Sequence, residues 1–538
     1  MACVVEGKKS VKLDLFVDGL SPYKAPTKKA ELWPIAGRII CDEFKTKPFI
    51  IALWRGPKKV PDSLEEFLGP FVKECEELMK GFILKGTTYV LVLRHIIADA
   101  PARAWLKQVK QHGSKASCER CDIRGIWLSN RVVFDPNCIG ELRTDYSFKN
   151  RTDSEYHLAD RSPLEHIVHD MISQFPLDRL HLLDLGAVRR IIKFLIEPKT
   201  SSIKLKPALI ARLDWFMNKL LPFFPSEFKR KPKSITEFRC YKGSEFKRIL
   251  HYDGILTFYF LSVIAEEYEC VYRCFLMLSC AARILSDENL CREYVDDARQ
   301  LLKGFVSYSA LVFGDHFVVY NIHHLLHLPD DCKIHGVLDG FSAELYESHL
   351  GRMKTWLRAP GRTITQIVAR TLEHEKNHSS ERCSAKFNEA KLSLPRQSSC
   401  SDGLRGEMYG KFSTDDFAIV ASFDISSDNC CVTTSGEVFI VQNILKVDET
   451  VYFVGKQFEE RTLFFDYPMD SSHLGILKVQ KLCKKLSHWC VKTDVAKKCV
   501  LLPIPERVGT KFIDGCYLAV PILHAAFSRV HAAPFSQS

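Results

Sequence analysis

The sequence predicts an α/β core, interrupted by a large all-α insertion and followed by a small all-β domain. Three observations predict it. Short β-forming runs alternate with amphipathic helical runs over roughly the first 160 residues. From about Ser162 to His327 apolar residues recur at three- and four-residue spacing. Beyond a polar stretch rich in Ser, Lys, Glu and Asn, the pattern changes to short alternating strands. The expected parts are a first core segment over 1–160, a helical insertion over 161–327, a helix completing the core over 328–372, a linker over 373–406 and a β domain over 407–525.

In the first part, Val11 to Asp18 reads as a strand with Leu13, Leu15 and Val17 on one face. Trp33 to Ile40 and Pro48 to Trp54 are further strands, the second holding the continuous run Phe49-Ile50-Ile51-Ala52-Leu53. Asp62 or Ser63 can cap a helix reaching about Met79, in which Leu64, Phe67, Leu68, Phe71 and Val72 share a face. Thr88 to Ile97 is a β-forming run that ends at Asp99, and Pro101 then suits the first turn of a helix reaching about Gln111. Three strands, a helix, a strand and a helix fit a ribonuclease-H-like core.

The insertion is expected to hold helices over Leu180 to Ile196, Leu205 to Phe223 and Tyr294 to Phe313, with a later helix near Glu344 to Leu357. Past the linker, Phe417 to Phe423, Glu437 to Ile444, Glu449 to Val454 and Thr462 to Phe465 suggest a barrel-like domain.

Bulk composition sets bounds. A hydrophobic share of 46% and a charged share of 26% are those of an ordinary globular protein. The formal charge of +10 permits a polyanionic partner without demanding one. Most of the 20 cysteines are isolated in apolar runs and Met1 to Lys12 has no apolar signal core, so reduced, buried thiols are expected. Gly254 to Leu285 is apolar, but Glu266, Glu267, Glu269 and Arg273 interrupt it, so no transmembrane span is expected.

Two sets of residues point to chemistry. A two-metal nuclease site needs carboxylates converging from distant parts of the chain. Asp18 closes the first strand and Asp99 the fourth, and in a ribonuclease-H-like sheet those strand ends are neighbours. Each also has a plain reading, Asp18 as a turn residue before Gly19 and Asp99 as a helix cap; Asp14 rivals Asp18. Cys118-x-x-Cys121 has zinc-ligand spacing, and His323 and His327 lie on one helix face, with His324 adjacent. Either pair alone also reads as packed core residues. Joined, they would staple the ends of the insertion through a closed, structural zinc.

These residues, in this order, resemble the CACTA (EnSpm-like) DNA transposases, particularly the animal branch. The resemblance covers roughly residues 11–370 and rests on LFVDGLSPYK, ELWPIAGRI, PFIIALWRGPKKVPDS, IADAPARAWLKQVKQHGSKASCERC, RVVF, LRTDYSF, SPLEHIVHDMISQFPLDRLHLLDLGAVRRII, PSEFKRKPKSITEF, YNIHHLLHLPDD and FSAELYESHLGRMK. It implies a DDE recombinase whose acids are Asp18, Asp99 and Glu347, the last preferred to Glu344. The plan is also distantly similar to the catalytic core of the vertebrate antigen-receptor recombinase, in which a Cys-x-x-Cys follows the second acid and a His pair precedes the third. The family's D-x-M-H segment corresponds to Asp178-Arg179-Leu180-His181, with Leu for Met.

What the resemblance implies is Mg²⁺- or Mn²⁺-dependent cleavage and joining of double-stranded DNA at transposon ends, with a structural Zn²⁺, in a nuclear protein that forms a homodimer or larger assembly on DNA. Among basic stretches, Lys229, Arg230, Lys231 and Lys233 beside Pro232 are the leading phosphate contacts, with Arg103 a further candidate. Family members usually carry a DNA-binding region ahead of the core, whereas here the core opens near Met1; a truncated copy or a derived host protein is the accompanying expectation. The alternative function is a transposon-derived DNA-binding or chromatin protein without catalysis.

Overall fold

The computed structural model describes residues 4–5, 8–22, 31–41, 46–56, 60–197, 203–358, 361–378, 390–397, 405–506 and 511–527. Contacts divide the chain into two compact units, Met1–Ala187 with Asp315–Ala385, and Val188–Gly314 with Lys386–Ser538. Residues 162–187 and 315–327, read from sequence with the insertion, therefore pack in the first unit, and the remaining helices share the second with the barrel.

The first unit is built on a mixed sheet. Its main strands run in the order Phe49–Gly56, Glu31–Ile40, Lys8–Val17, Thr87–Ile97, Phe82–Leu84. Lys8–Val17 and Thr87–Ile97 are parallel, and the other pairings in this order are antiparallel. Leu13, Leu15 and Val17 face one way and pack with Leu91 and Leu93 against the helix Leu64–Lys80. That helix buries Leu64, Phe67, Leu68, Phe71, Val72 and Cys75, and the Ser63 hydroxyl caps it by accepting the Glu66 N–H at 3.1 Å. Strand alternation turns Asp14 and Phe16 to the other face. There Phe16 stacks on Tyr346 of the helix Glu344–Trp356, with ring centroids 5.0 Å apart. Helices thus cover both faces of the sheet.

The central helical region of the second unit comprises chiefly Arg189–Ile196, Pro207–Leu220, Gly243–His251, Asp253–Ile264, Glu269–Ser286 and Glu288–Phe313. The run expected as one helix from Leu180 begins instead as a π-helix, Leu180–Val188. No helix is long and apolar enough to cross a membrane among the described residues.

The C-terminal strands close on themselves. Val438–Val447 pairs with Cys430–Thr433 on one side and Thr450–Thr462 on the other. The ring continues through Leu477–Leu482, Phe512–Ala526 and Val495–Pro505 back to Cys430–Thr433, giving a six-strand β-barrel. Cys430, Val432, Ile440, Phe458, Val479, Cys499 and Leu501 are among the residues of its core. Within this unit the buried Lys498 ties barrel to helices, binding Glu227 at 2.9 Å and Asp428 at 2.6 Å.

The expectation of a linker over 373–406 is corrected at two places. The helix Thr363–His378 runs into that stretch, and Lys391–Arg396 is a strand paired with Glu407–Ser413. The remainder, 379–389 and 398–404, lies outside the described residues. Near the barrel, Thr462 ends the long Thr450–Thr462 strand instead of opening another.

Candidate functional site

The parallel strand pair positions the first two acids. Phe16 is the register partner of Ile97, and the same offset carried past both strand ends sets Asp18 beside Asp99. Each also makes the local contact its plain reading requires. The Gly19 N–H donates to Asp18 Oδ1 at 2.7 Å, and the Ala102 N–H to Asp99 Oδ1 at 2.8 Å, capping the helix Ala100–Lys107. Turn and cap use one oxygen of each carboxylate and leave the other. Gly19 has to be small, because a Cβ there would lie 2.8 Å from the buried Trp33 ring.

The third acid comes from the helix over the opposite sheet face. Tyr346 on Phe16 fixes that helix, and the next residue, Glu347, brings its charge to bear on Asp18. Glu344 instead lies in the field of Arg179, so the two candidate glutamates have different surroundings. Burial, followed by the Asp99 and Glu347 charges, pushes the Asp18 carboxyl up to about 8. Asp14 is engaged elsewhere: it is buried against Arg94, which donates to it at 2.7 Å.

His181 completes this cluster. Its Nδ1 meets Asp178 Oδ2 at 2.6 Å, and Asp178 Oδ1 accepts the Ala343 N–H at 2.7 Å, immediately before the Glu347 helix. Burial opposes charge on His181, but the bond and charge of Asp178, with the fields of Asp99 and Glu347, prevail and raise it to about 9. Asp178, although fully buried, is held below the usual carboxylate range by His181 and by backbone N–H groups. The cluster therefore combines three acidic side chains with one histidine whose charge Asp178 favours.

The Cys and His pairs meet. Cys118, Cys121, His323 and His327 are all buried, and one ligand atom of each lies within 4.8 Å of all the others. Sγ–Sγ is 3.5 Å, Cys121 Sγ to His323 Nε2 is 3.4 Å, Cys118 Sγ to His327 Nε2 is 3.7 Å, and the two Nε2 atoms are 3.4 Å apart. A tetrahedral zinc with bonds of about 2.0–2.3 Å needs ligand separations of roughly 3.3–3.8 Å. This group could hold a zinc ion. The Arg120 and Cys121 N–H groups each point at Cys118 Sγ from 3.4 Å. Hydrogen bonds from Cys118, His323 and His327 hold the Cys121 thiol well below its usual range, while burial pushes Cys118 up and keeps His323 neutral.

His324, adjacent to the set, has a different task. Its Nε2 accepts the Glu119 N–H at 3.2 Å and its Nδ1 meets Tyr320 O at 2.8 Å, so it braces the backbone of the Cys-x-x-Cys turn. Glu119 is buried between the two cysteines and binds Arg103 at 3.0 and 3.2 Å, with the Tyr320 hydroxyl also donating to it. This corrects the expectation for Arg103. The residue is 3% exposed, and its side chain also donates to Ala98 O at 2.7 Å and links the helix after Asp99 to the cysteine turn instead of facing a phosphate. The spacing of Cys118 and Cys121 was visible in the sequence; the Glu-Arg between them was its unused signal, since Arg120 is also buried, bound to Asp331 at 3.0 Å.

In the second unit, Lys229, Arg230, Lys231 and Lys233 are exposed along one loop. The buried Glu245 draws Lys233 to 3.3 Å and Arg230 to 3.9 Å, and Arg248 donates to Arg230 O at 2.9 Å. The described cysteines are free thiols.

Residues 396–520, which cover most of the barrel, match a family described as a domain of unknown function (DUF8592). No curated protein matches the chain.

Proposed function

We propose that the protein is a transposase-like DDE recombinase that cleaves and joins DNA at transposon ends. The observation that carries this reading is that Asp99 and Glu347, from two distant segments, both act on Asp18: burial first, then their charges, pushes its carboxyl up to about 8. The sheet order, with one parallel pair beside antiparallel neighbours, supports a ribonuclease-H-like core for these acids. The reading includes a nuclear setting and a homodimer or larger assembly on double-stranded DNA.

Asp18 and Asp99, held by strand ends, and Glu347, held by a packed helix, would bind Mg²⁺ or Mn²⁺. Bound there, the ions would supply activation of the attacking oxygen and stabilisation of the leaving one. His181 stands beside Asp99 and Glu347 with its charge maintained by Asp178, and would neutralise a non-bridging phosphate oxygen as negative charge develops. The Cys118, Cys121, His323 and His327 set would hold Zn²⁺ and fix the segments flanking the insertion. The exposed Lys229 to Lys233 loop supports a phosphate-contacting role for its side chains.

The test is cleavage of duplex DNA carrying transposon terminal repeats, with Mg²⁺ or Mn²⁺, by the wild-type protein and by Asp99→Ala. Metal-dependent cutting that Asp99→Ala reduces to background is expected. Equal cutting by both proteins would sink the assignment, and binding without cutting by either would favour a derived, non-catalytic DNA-binding protein.

A further inference from the structure

One edge of the long Thr450–Thr462 strand is shared by two shorter strands, Leu477–Leu482 and Ser487–Cys490, with a seam between them. Phe458 is the partner of Leu482, and Gly455 of Ser487. Between those pairs, Lys456 and Gln457 on the long strand face the four residues Cys483 to Leu486, and the Cys483 N–H still bonds Gln457 O at 2.8 Å. The excess has to bulge from the seam, and its middle residues are Lys484 and Lys485, both exposed.

The surroundings favour an anion. From Leu477 to Lys498 the chain carries seven lysines and a single carboxylate, Asp494. Asp494 is turned inward and accepts the Cys490 N–H at 2.8 Å. Three other lysines are committed, Lys481 to Glu460, Lys497 to Asp287 and Lys498 to Glu227 and Asp428. Lys456, Lys484 and Lys485 make no ion pair among the described residues. Strand alternation puts Tyr452 and Lys456 on one face, where the Tyr452 ring meets His488 edge to face with centroids 5.9 Å apart.

We propose that this seam, centred on the Lys484–Lys485 bulge with Lys456 beside it, binds the phosphate backbone of duplex DNA. Lysine is a compact point charge suited to phosphate, and such contacts hold DNA without reading its bases. Tyr452 and His488 offer flat ring surfaces to the sugars. The barrel would then be a DNA-holding module. The inference shares with the proposed function the nature of the partner, but it needs no catalysis.

The test is anisotropy of a fluorescent duplex of arbitrary sequence with the full chain, without added divalent ions, from 50 to 200 mM KCl. Each lost phosphate contact lowers the slope of log affinity against log salt by about 0.9. Replacing Lys456, Lys484 and Lys485 together by Gln should lower the slope by about 2–3 and weaken binding at least tenfold near 0.15 M salt. The same three positions changed to Arg should keep the wild-type slope. Lys73→Gln with Lys85→Gln, on the first unit, should also leave it unchanged. An unaltered slope in the Gln variant overturns the proposal, as does competition by polyglutamate as strong as by unlabelled duplex, which would mark an acidic-protein surface. A reduced slope in the Gln variant with no cutting by the wild-type protein would keep this seam and remove the catalytic reading, whereas wild-type cutting with an unaltered slope in the Gln variant would do the reverse.

Discussion

The buried Asp178 pairs with the partly exposed His181, Oδ2 to Nδ1 at 2.6 Å, while the other Asp178 oxygen holds the Ala343 N–H at the start of the Glu347 helix. One side chain thus sets both the charge of the histidine and the placement of the third acid. Asp178→Asn is expected to return the His181 pKa from about 9 toward the ordinary 6.5, followed by imidazole NMR signals across pH. It should also cost about 2–4 kcal/mol in denaturant unfolding, because a buried charge-assisted network loses its anion. An unmoved titration would remove Asp178 as the source of the charge.

Asp18 should couple metal binding to protons. Its carboxyl is raised from 3.8 to about 8, so the protonated form is favoured in the metal-free fold. The stability this proton contributes is complete at acid pH and is lost as pH rises through about 8. A divalent cation favours the carboxylate and must displace the proton. Mn²⁺ affinity should therefore fall about tenfold for each pH unit below 8, and calorimetry in buffers of different ionisation enthalpy should detect close to one proton released near pH 7. Affinity flat from pH 6 to 8 would contradict this.

The four-ligand set should retain one zinc per chain through purification, read by elemental analysis. Cys118→Ser with His327→Ala should abolish that zinc and sharply increase protease sensitivity of the segments around 115–135 and 318–335, since binding energy at a closed site is folding energy. Zinc retained by the double variant would reject the shared site.

Arg103 is expected to act through stability. Arg103→Ala leaves Glu119 buried without its main cation and should cost about 3–5 kcal/mol. The salt dependence of DNA binding by whatever protein remains folded should match wild type. A reduced salt slope with unchanged stability would restore the phosphate role.

The contrast between Arg103 and Asp99 shows what the sequence could reveal. Asp99 lies where a β-forming run stops and a helix begins, so local pattern alone located it. Cys118 and Cys121 were visible through their spacing, as were His323 and His327. The fate of Arg103 depended on Glu119, which local pattern cannot connect to it, and on the burial that made the pair obligatory. Lys391–Arg396 was hidden for a similar reason: its side chains are mostly exposed, and only pairing with Glu407–Ser413 makes it a strand. Barrel closure was equally non-local, since the alternation in Val438–Val447 marks a strand without naming its two partners.

The central claim is that Asp18, Asp99 and Glu347 jointly hold divalent cations. Crystals grown with Mn²⁺ and a DNA duplex, examined by anomalous diffraction at the manganese edge, test it most directly. The expected result is two peaks roughly 4 Å apart, bounded by all three carboxylates and absent in Asp99→Ala. Ordered carboxylates around the DNA with no manganese between them, at saturating concentration and pH 8, would contradict it.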